Sequence, residues 1–589
     1  MTSSPRNDST LLTSARALSP VRNTSQADSI EQLVAEQLEH FNIQADSEFG
    51  GQLAELTGNL FRCQGSVDQL WTIAQHEMRE LRHEDKVTLF NARKFVSFQI
   101  AKILDTFQHD FRRAHQNLGL SSGTRAAHGA YPIIDNITAL FSATPVIART
   151  ATYTFACADW IADAFEGREF MLPVYSRLLN PTSIALANHI VDIECGALAG
   201  EYMAWNFNSG MAAIDATLSH LLGHRDVLIA SRNIYGGAHQ LLHDWFAKPS
   251  NLDIAVEHFD GYLAEDFTAC WQRIQAQYAD RFSDGRQAYL YLESPCNPHG
   301  YVLDVPALCA AAHAAGLRVI LDATVGTPFL QQPLQCLDPA QRPDFVVHSY
   351  TKDLSGTGSV IGGCTIARNA DMFIPKGQDG WQNSMFWNVY YIKGAFLSAD
   401  AAFEILQGMR TLNLRMLHKC INTEILALFL ASHPDIRVNC NALPDHPNAA
   451  LRRKHLALEL PAPLFTFDVL NISADCFRQF FDNLEPVFSH QISLGQTNST
   501  VSCPGLTTHS ELDAQAQDDC HIYANTIRIS IGCENPRDLI RHVTAVASAV
   551  IDPIHPGFSA QFMSPAQSDE LIRDCYMRRQ AIFIEACLA

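Results

Sequence analysis

Apolar residues recur every three or four positions over residues 29–120 of the chain. The spacing is clearest at Ile30, Leu33, Val34 and Leu38, and several phenylalanines continue it towards the end of the segment. Such a repeat places apolar side chains on one face of an amphipathic helix. The pattern therefore predicts a helical extension over residues 29–120, in which we see no cluster of side chains suited to catalysis.

The pattern of apolar residues changes after the sequence SSGT at 121–124. Apolar runs of strand length now alternate with amphipathic helical segments, one of which is VPALCAAAHAAG at 305–316. The strand-length runs are DVLIA, QAYLYLES, RVILDAT, DFVVHSY and VIGGCTIA. This alternation is typical of βαβ units, which build a mostly parallel sheet covered by helices. Ligands of such sheets bind outside the carboxyl ends of the strands.

Composition excludes several classes of protein. The formal charge of −20 argues against a nucleic-acid partner, and no apolar run reaches the eighteen or so residues of a membrane-spanning helix. The sixteen cysteines form no C-x2-C pair, so we expect no zinc ribbon, no disulfide framework and no metal site. Cysteines within apolar segments are typical of a reducing compartment, which favours the cytoplasm.

Residues 1–28 are rich in serine and threonine, carry Arg6, Arg16 and Arg22, and contain few acids. This composition predicts a disordered tail, because it buries little apolar surface. It also resembles an organellar targeting segment, although no clear amphipathic helix is visible. Both interpretations remain open.

Polar residues follow three successive strand-length runs. They are Asp322 in RVILD, Glu293 and Asn297 after AYLYL, and Ser349, Thr351 and Lys352 at and after FVVHS. Each residue alone could be a helix cap or a turn residue. Because the carboxyl ends of parallel strands meet at one edge of a sheet, we expect the three groups to lie close together.

Lys352 follows an apolar run and precedes a loop rich in glycine and serine. A lysine held against apolar surroundings tends to lose its proton, and the neutral amine is a nucleophile that forms Schiff bases. A surface lysine in a strand-to-loop turn is the alternative interpretation.

A further segment, NFNSGMAAIDATLSHLLG, begins a helix at Ser209, Gly210 and Met211. Free backbone N–H groups and the helix dipole favour a phosphate at such a position, and an ordinary helix cap is the alternative. A lysine, an acid and a phosphate site together suit a phosphorylated aldehyde cofactor.

Nine motifs follow one another between residues 175 and 535. They are YSRLLNPT, NSGMAAI, YGGAHQLL, ESPCNP, LDATVGTP, HSYTK, GMRTLNLRM, SLGQTNSTVSCPGLTTH and IRISIGCEN. Through them the chain resembles, over about residues 128–549, the Cys/Met-metabolism family of pyridoxal-phosphate (PLP) enzymes, the transsulfuration group that includes cystathionine γ-synthase. The resemblance implies a fold-type I PLP transferase with a large α/β cofactor-binding domain at 125–400, a smaller α+β domain at 401–550 and a C-terminal tail at 551–589.

The resemblance also implies a role for each matching residue. Lys352 would carry PLP covalently and later move protons, Asp322 would keep the pyridine nitrogen protonated, and Tyr235 would stack on the ring. The other residues implied at the cofactor are Gly210, Met211, Ser349 and Thr351 at the phosphate, Asn297, and Tyr175 and Arg177 from a neighbouring subunit. Arg528 with Ser493 would bind the substrate carboxylate. Because Tyr175 and Arg177 would come from a neighbouring subunit, the resemblance implies a homodimer or homotetramer whose active sites are shared between subunits.

The sequence departs from the family pattern at several positions around the substrate. Ala323 replaces the asparagine of Asp-Asn-Thr, and Gly356–Ser359 replaces Gly-His-Ser-Asp. Asn498 stands where an acid is common, and Gly237 stands where methionine γ-lyases carry a cysteine. We therefore expect intact cofactor machinery, an altered substrate pocket that includes Asn498, and poor handling of cystathionine.

The family resemblance implies γ-replacement or γ-elimination on an activated homoserine or a sulfur amino acid. A β-eliminating carbon–sulfur lyase is an alternative, which releases pyruvate rather than 2-oxobutanoate. A non-catalytic regulatory protein that keeps the cofactor fold is another. Retention of Lys352, Asp322 and Arg528 argues against the last interpretation.

Overall fold

The computed structural model describes residues 8–17, 19–77, 87–88, 91–92, 94–100, 102–103, 118–128, 142–153, 158–166, 174–507 and 521–588. The chain divides into two compact units. The first comprises Met1–Thr144 and Phe155–Asp163, and the second comprises Pro145–Thr154 and Ala164–Ala589. No helix among the described residues combines the length and the apolar character needed to cross a membrane.

The first unit is helical where it is described. Its helices are α1 (Asp8–Ala17), α2 (Ile30–His40), α3 (Glu48–Glu77) and α4 (Ser122–His128), and α5 (Ala158–Phe165) runs from this unit into the second. Helix α2 begins after Ser29, whose side chain accepts a hydrogen bond from the Gln32 N–H. The apolar positions Ile30, Leu33 and Leu38, which the sequence placed on one face, are all buried.

Residues 8–28 differ from the tail predicted for residues 1–28. Helix α1 occupies part of this range, and Ala15 is buried in a small cluster with α2. Ser19 is buried too, and its hydroxyl accepts a hydrogen bond of 2.8 Å from Nε2 of Gln37. Composition did not reveal this because small polar residues can be buried once a neighbouring side chain satisfies them. A targeting role stays a prediction.

The second unit is built on a seven-stranded sheet. Its strands are β1 (Tyr202–Phe207), β2 (Val227–Ser231), β3 (Ala255–Phe259), β4 (Ala288–Glu293), β5 (Arg318–Asp322), β6 (Phe345–Ser349) and β7 (Gly363–Arg368). The spatial order is β1-β7-β6-β5-β4-β2-β3. All neighbours pair in parallel except β7, which runs antiparallel to both β1 and β6. The mostly parallel sheet expected from the sequence is confirmed.

Both faces of this sheet are buried, which explains why its strands are continuous apolar runs. Side chains alternate between two clusters: Leu290 and Leu321 lie in one, and Tyr291 and Ile320 lie in the other. The helices between Pro181 and Lys393 are α6 (Pro181–Cys195), α7 (Gly210–Leu221), α8 (Gly236–Gln240), α9 (Ala264–Gln277), α10 (Ala279–Ser283), α11 (Val305–Ala314), α12 (Thr327–Leu330), α13 (Asn369–Met372) and α14 (Tyr391–Lys393).

A second, five-stranded sheet follows in the same unit. Its strands are β8 (Ile436–Asn439), β9 (Leu464–Val469), β10 (Ser489–His490), β11 (Thr500–Ser502) and β12 (Thr526–Ser530), in the order β10-β11-β12-β9-β8. The helices of this part are α15 (Ala399–Met409), α16 (Leu412–Ala431), α17 (Ala449–His455), α18 (Ala474–Asp482), α19 (Pro536–Val550) and α20 (Pro565–Leu588). Except between β10 and β11, this sheet is antiparallel.

The segment predicted as a C-terminal tail, 551–589, instead carries helix α20, which packs against α16. Arg579 and Glu424, both nearly fully buried, form a bidentate ion pair with two N–O distances of 2.8 Å. The hydroxyl of Tyr576 donates a hydrogen bond of 3.0 Å to Asn422. Leu571, Ile572 and Cys575 of the same helix pack on the hydrophobic core, so α20 is held by an apolar face together with these buried polar pairs.

Candidate active site

A cavity of about 220 Å³ lies at the carboxyl ends of β4, β5 and β6, opposite the N-terminus of α7. The residues that line it are Ser209, Gly210, Met211, Ile214, Tyr235, Glu293, Asn297, Asp322, Thr324, Val325, Val347, Ser349, Thr351, Lys352, Ile361, Ile492, Leu494 and Arg528. The polar residues expected at the ends of the three strands therefore all line one cavity, as do Ser209, Gly210 and Met211 at the start of α7.

Lys352 lies in the turn Tyr350–Leu354 that follows β6. Its Nζ donates a hydrogen bond of 3.0 Å to Oγ of Ser493. Burial, helped by the positive charge of Arg528, lowers the pKa of Lys352 to about 8. Near neutral pH roughly one amine in ten is therefore neutral, far more than for an exposed lysine, and the neutral form is the nucleophile.

Asp322 ends β5 and is buried beside Glu293, its register partner at the end of β4. One carboxylate oxygen accepts a hydrogen bond of 3.0 Å from the N–H of Thr324. Burial raises the pKa of Asp322, and no lysine, arginine or histidine of the described chain forms an ion pair with it. A buried carboxylate in this position is stabilised as an anion by a cation that a ligand brings, such as a protonated ring nitrogen.

Glu293 ties two loops of the site together, a role that we did not predict. One of its oxygens accepts a hydrogen bond of 2.5 Å from the N–H of Tyr235, and the other accepts one of 2.8 Å from the N–H of Asn297. Burial, and then the nearby Asp322, raise the pKa of Glu293 well above its usual value. The sequence showed only that Glu293 lies at the end of a strand. That position is equally suited to a residue that contacts a ligand and to one that holds neighbouring loops in place.

The N-terminus of α7 offers backbone donors to an anion. Ser209 caps the helix by accepting a hydrogen bond of 3.1 Å from the Ala212 N–H, and no described residue accepts from the N–H groups of Gly210 and Met211. A Cβ on Gly210 would lie 2.8 Å from Cβ of Ser349. Only glycine fits there, and this helix start shares the cavity lining with Ser349 and Thr351.

Arg528, on β12, is buried in the cavity lining. Its guanidinium donates to the backbone oxygen of Ser493 at 2.9 Å and to Oδ1 of Asn297 at 3.3 Å. Nε of Arg528 is buried without a partner among the described residues. A carboxylate entering the cavity would satisfy it. Asn297 also lines the cavity, and its expected contact with the cofactor stays a prediction.

Gly237 explains one departure from the family pattern. A Cβ on this residue would lie 2.6 Å from Cε1 of Tyr235 and 3.1 Å from Sδ of Met211. The Tyr235 ring therefore occupies the space that a side chain at position 237 would need. Glycine at this position allows the tyrosine to lie in the cavity wall.

Tyr175 and Arg177 do not line the cavity of their own chain. The Arg177 guanidinium donates a hydrogen bond of 2.6 Å to the backbone oxygen of Tyr391 and lies 5.6 Å from the centre of the Tyr175 ring. Tyr175 is exposed. Their expected role in a neighbouring subunit stays a prediction.

Asn498 lies outside the cavity lining of its own chain, and its expected contact with the substrate stays a prediction. Its amide donates a hydrogen bond of 3.1 Å to Oγ of Ser489, and it does not line the cavity. A Cβ on Gly532 would lie 2.5 Å from the Asn498 carbonyl carbon, so the segment packs directly on the chain that follows β12. Within one chain Ile492 and Leu494 occupy the cavity wall instead.

Residues 135–546 match the model of the family described as Cys/Met metabolism PLP-dependent enzyme. The chain belongs to this family. Its cofactor is accordingly pyridoxal 5′-phosphate, and the site fits that molecule on its own evidence. A lysine with a lowered pKa, a buried carboxylate without a cation and free N–H groups at a helix start share one cavity.

Several members of the family are similar to this chain over most of their length. L-methionine γ-lyase from Pseudomonas deceptionensis is 31% identical over 441 residues, which cover 74% of this chain and 99% of that protein. O-acetyl-L-homoserine sulfhydrylase from Leptospira meyeri is 29% identical over 430 residues, which cover 67% of this chain and 89% of that protein.

Solved structures of family members confirm the fold-type I architecture. Cystathionine γ-synthase from Xanthomonas oryzae pv. oryzae in complex with cystathionine is 26% identical, with a TM-score of 0.59 over 71% of this chain and 96% of that one. A putative O-acetylhomoserine (thiol)-lyase from Campylobacter jejuni, which carries a pyridoxyl-lysine phosphate, is 28% identical. Its TM-score is 0.60 over 73% of this chain and 100% of that one.

Proposed function

We propose that the protein catalyses PLP-dependent γ-replacement or γ-elimination on an activated homoserine or a sulfur amino acid. The observation that carries the proposal is the cavity shared by Lys352 and Arg528. Nε of Arg528 is buried and unpartnered there, which suits the α-carboxylate of an amino acid. The relatives named above include both a γ-lyase and a sulfhydrylase, which act by these two reaction types.

PLP supplies an electron sink for charge that develops at the substrate α-carbon. Asp322 holds a proton on the ring nitrogen, because an anion beside that nitrogen raises its affinity for the proton. The N–H groups of Gly210 and Met211, with the hydroxyls of Ser349 and Thr351, hold the phosphate.

Lys352 carries the cofactor and then serves as the base at the substrate. Both reaction types require proton removal first at the α-carbon and then at the β-carbon, and a released amine with a pKa near 8 can take and return these protons. Ser493, 3.0 Å from Nζ, orients the amine and also binds Arg528 through its backbone oxygen. Tyr235 donates a proton to the leaving group, and Glu293 positions Tyr235 through its backbone N–H.

The distal part of the substrate is uncharged in this proposal. The ionisable residues of the cavity are those already assigned, while Ile361 and Ile492 form a part of the wall that reaches the surface, with the buried Leu494 also in the lining. Ile361 and Ile492 are 64% and 71% exposed. An apolar mouth favours a thioether or an acyl ester over the zwitterionic distal end of cystathionine.

We further propose a homodimer or homotetramer in the cytoplasm. Tyr175 and Arg177 lie outside their own cavity, and Tyr175 is exposed, which supports a role in a neighbouring active site. The fourteen cysteines of the described chain are all free thiols, in keeping with a reducing compartment.

The test is a substrate panel with the PLP-loaded enzyme. Methionine, O-acetylhomoserine with a small thiol, cystathionine and cysteine are incubated separately, and the keto acids and thioethers formed are identified. We expect 2-oxobutanoate or a γ-substituted amino acid, with cystathionine a poor substrate. Pyruvate as the main product would favour the β-eliminating lyase. Bound PLP without any product would favour the regulatory alternative.

A further inference from the structure

Three histidines come together outside the PLP cavity. His239 lies in α8, His243 lies in the π-helical turn Leu241–Phe246 that continues it, and His258 lies in the edge strand β3. Each can present one ring nitrogen such that the three nitrogens lie within 4.8 Å of one another. The Nε2 atoms of His243 and His258 are 3.1 Å apart. None of the three lines the PLP cavity.

These distances are close to those of a metal-binding site. Zinc binds histidine nitrogens at about 2.0–2.1 Å with tetrahedral geometry, which separates two ligand nitrogens by about 3.3 Å. His239 and His243 are four residues apart and so project from one side of the helix. Small rotations about the side-chain torsions would bring the His239 nitrogen to the same distance.

The imidazoles are also in the right protonation state. Burial, and then the mutual proximity of the rings, lower the pKa of His239 to about 4 and that of His258 to about 3. Burial lowers the pKa of His243 as well. All three are therefore neutral near neutral pH, with lone pairs available to an ion. The nearby charge of Arg232 is balanced by Asp260, whose carboxylate lies 2.6 Å away.

We propose that His239, His243 and His258 bind a divalent transition-metal ion of the zinc class. Imidazole nitrogens suit zinc, copper and nickel and are poor ligands for magnesium or calcium. Three protein ligands leave a fourth position for water, and the half-buried rings leave the ion a path from solvent. The ion would join the helix that follows Tyr235 to edge strand β3, and thus it has a structural effect rather than a catalytic one.

Sequence analysis predicted no metal site, and the reason lies in the topology. His239 and His243 are adjacent in the chain, but His258 comes from a strand beyond a crossover. The parallel pairing of β2 and β3 brings His258 on β3 close to His239 and His243, which follow β2 in the chain. Two histidines on one helix are not a metal motif by themselves.

The experiment uses untagged, PLP-loaded protein that is dialysed against a chelator and then equilibrated with Zn²⁺. Bound metal is counted by mass spectrometry, and the affinity is measured by competition with a chromophoric chelator. The variants are His243→Ala and His258→Gln, and the matched control is His224→Gln, which changes an exposed histidine of the same unit. Cobalt spectra report the coordination geometry.

We expect one tightly held ion per chain in the native protein and in the control. Its affinity should fall at least tenfold in each cluster variant, and Zn²⁺ should raise the thermal midpoint only where the cluster is complete. The PLP content shows whether each variant has folded. Equal zinc affinity in native and cluster variants, or an octahedral cobalt spectrum in the native protein, would overturn the proposal in favour of three stacked neutral histidines.

Discussion

Nζ of Lys352 donates a hydrogen bond of 3.0 Å to Oγ of Ser493, and the backbone oxygen of the same serine accepts from Arg528 at 2.9 Å. One residue thus joins the proposed cofactor-binding amine to the proposed carboxylate site. These two groups come from different sheets of the second unit, and Ser493 fixes the separation between them. We therefore expect a substitution at Arg528 to change the properties of the Lys352 amine, and a substitution at Lys352 to affect the carboxylate site.

Lys352→Ala should abolish covalent attachment of PLP and all turnover, because no other described lysine lines the cavity. Borohydride reduction followed by peptide mass spectrometry locates the attachment. Lys248→Ala, which removes an exposed lysine, is the control and should behave as the native enzyme. Cofactor found on another lysine would contradict the assignment.

Arg528→Met should raise the pKa of Lys352 above its value of about 8. The Arg528 charge now disfavours a second cation nearby, so removing it favours the protonated amine. Cofactor attachment to the apoenzyme should therefore need a higher pH, with the midpoint moved up by as much as about one unit. Arg528→Lys keeps the charge and should leave the midpoint in place. An unchanged or lower midpoint in the methionine variant would show that the two groups do not interact.

Asp322→Asn should reduce kcat by about a hundredfold or more while the protein stays folded, because the ring nitrogen loses the anion that holds its proton. In the apoprotein the variant removes a charge whose ionised form is disfavoured by burial, so the thermal midpoint of the apoprotein should not fall. Steady-state kinetics, PLP content and thermal unfolding measure the three quantities. Turnover near the native rate would refute this role.

Gly237→Ala should displace the Tyr235 ring, since a Cβ there would lie 2.6 Å from Cε1 of that ring. We expect a lower kcat with nearly unchanged PLP content, because the phosphate and lysine contacts are untouched. Gly200→Ala is the matched control, since a Cβ at that position meets no atom within 4 Å. Native kinetics in the Gly237 variant would mean that Tyr235 is free to move aside.

Arg579→Met should lower the free energy of unfolding by about 3–5 kcal/mol, because it removes the buried, bidentate partner of the Glu424 carboxylate. Arg578→Met is the comparison, since Arg578 also contacts Glu424 but its side chain is 55% exposed. We expect the latter to cost about 1 kcal/mol or less. Chemical denaturation of both variants separates the two cases, and equal losses would argue against a special role for the buried pair.

The parts of the site that follow strand ends could be predicted from the sequence. Asp322 and Ser349 are the last residues of apolar runs, and Ser209 precedes a helical pattern, so local signals place all three. Glu293 was visible too, but its hydrogen bonds to Tyr235 and Asn297 depend on loop conformations that no periodicity encodes.

Other features depend on residues that are distant in the sequence. Asn498 was assigned to the substrate pocket from its position in a motif, and the motif does not encode the close packing of this segment on Gly532. Leu571 and Cys575 of α20 pack on the core, whereas the buried pair of Arg579 with Glu424 on α16 joins residues that are far apart in the sequence. The His239 cluster likewise needs the crossover between two strands.

Strands β1 and β7 lie side by side at one end of the large sheet, although its five other strands lie between them in the sequence. Phe207 is opposite Gly363, and a Cβ on Gly363 would lie 2.5 Å from the backbone oxygen of Ser209. The proposed phosphate-binding end of α7 therefore packs against β7, the last strand of this sheet to be synthesised. Because pairings between such distant segments form late in folding, a nascent chain should gain affinity for PLP only once the sheet has closed. Cofactor capture would then mark the completion of folding rather than guide its early steps.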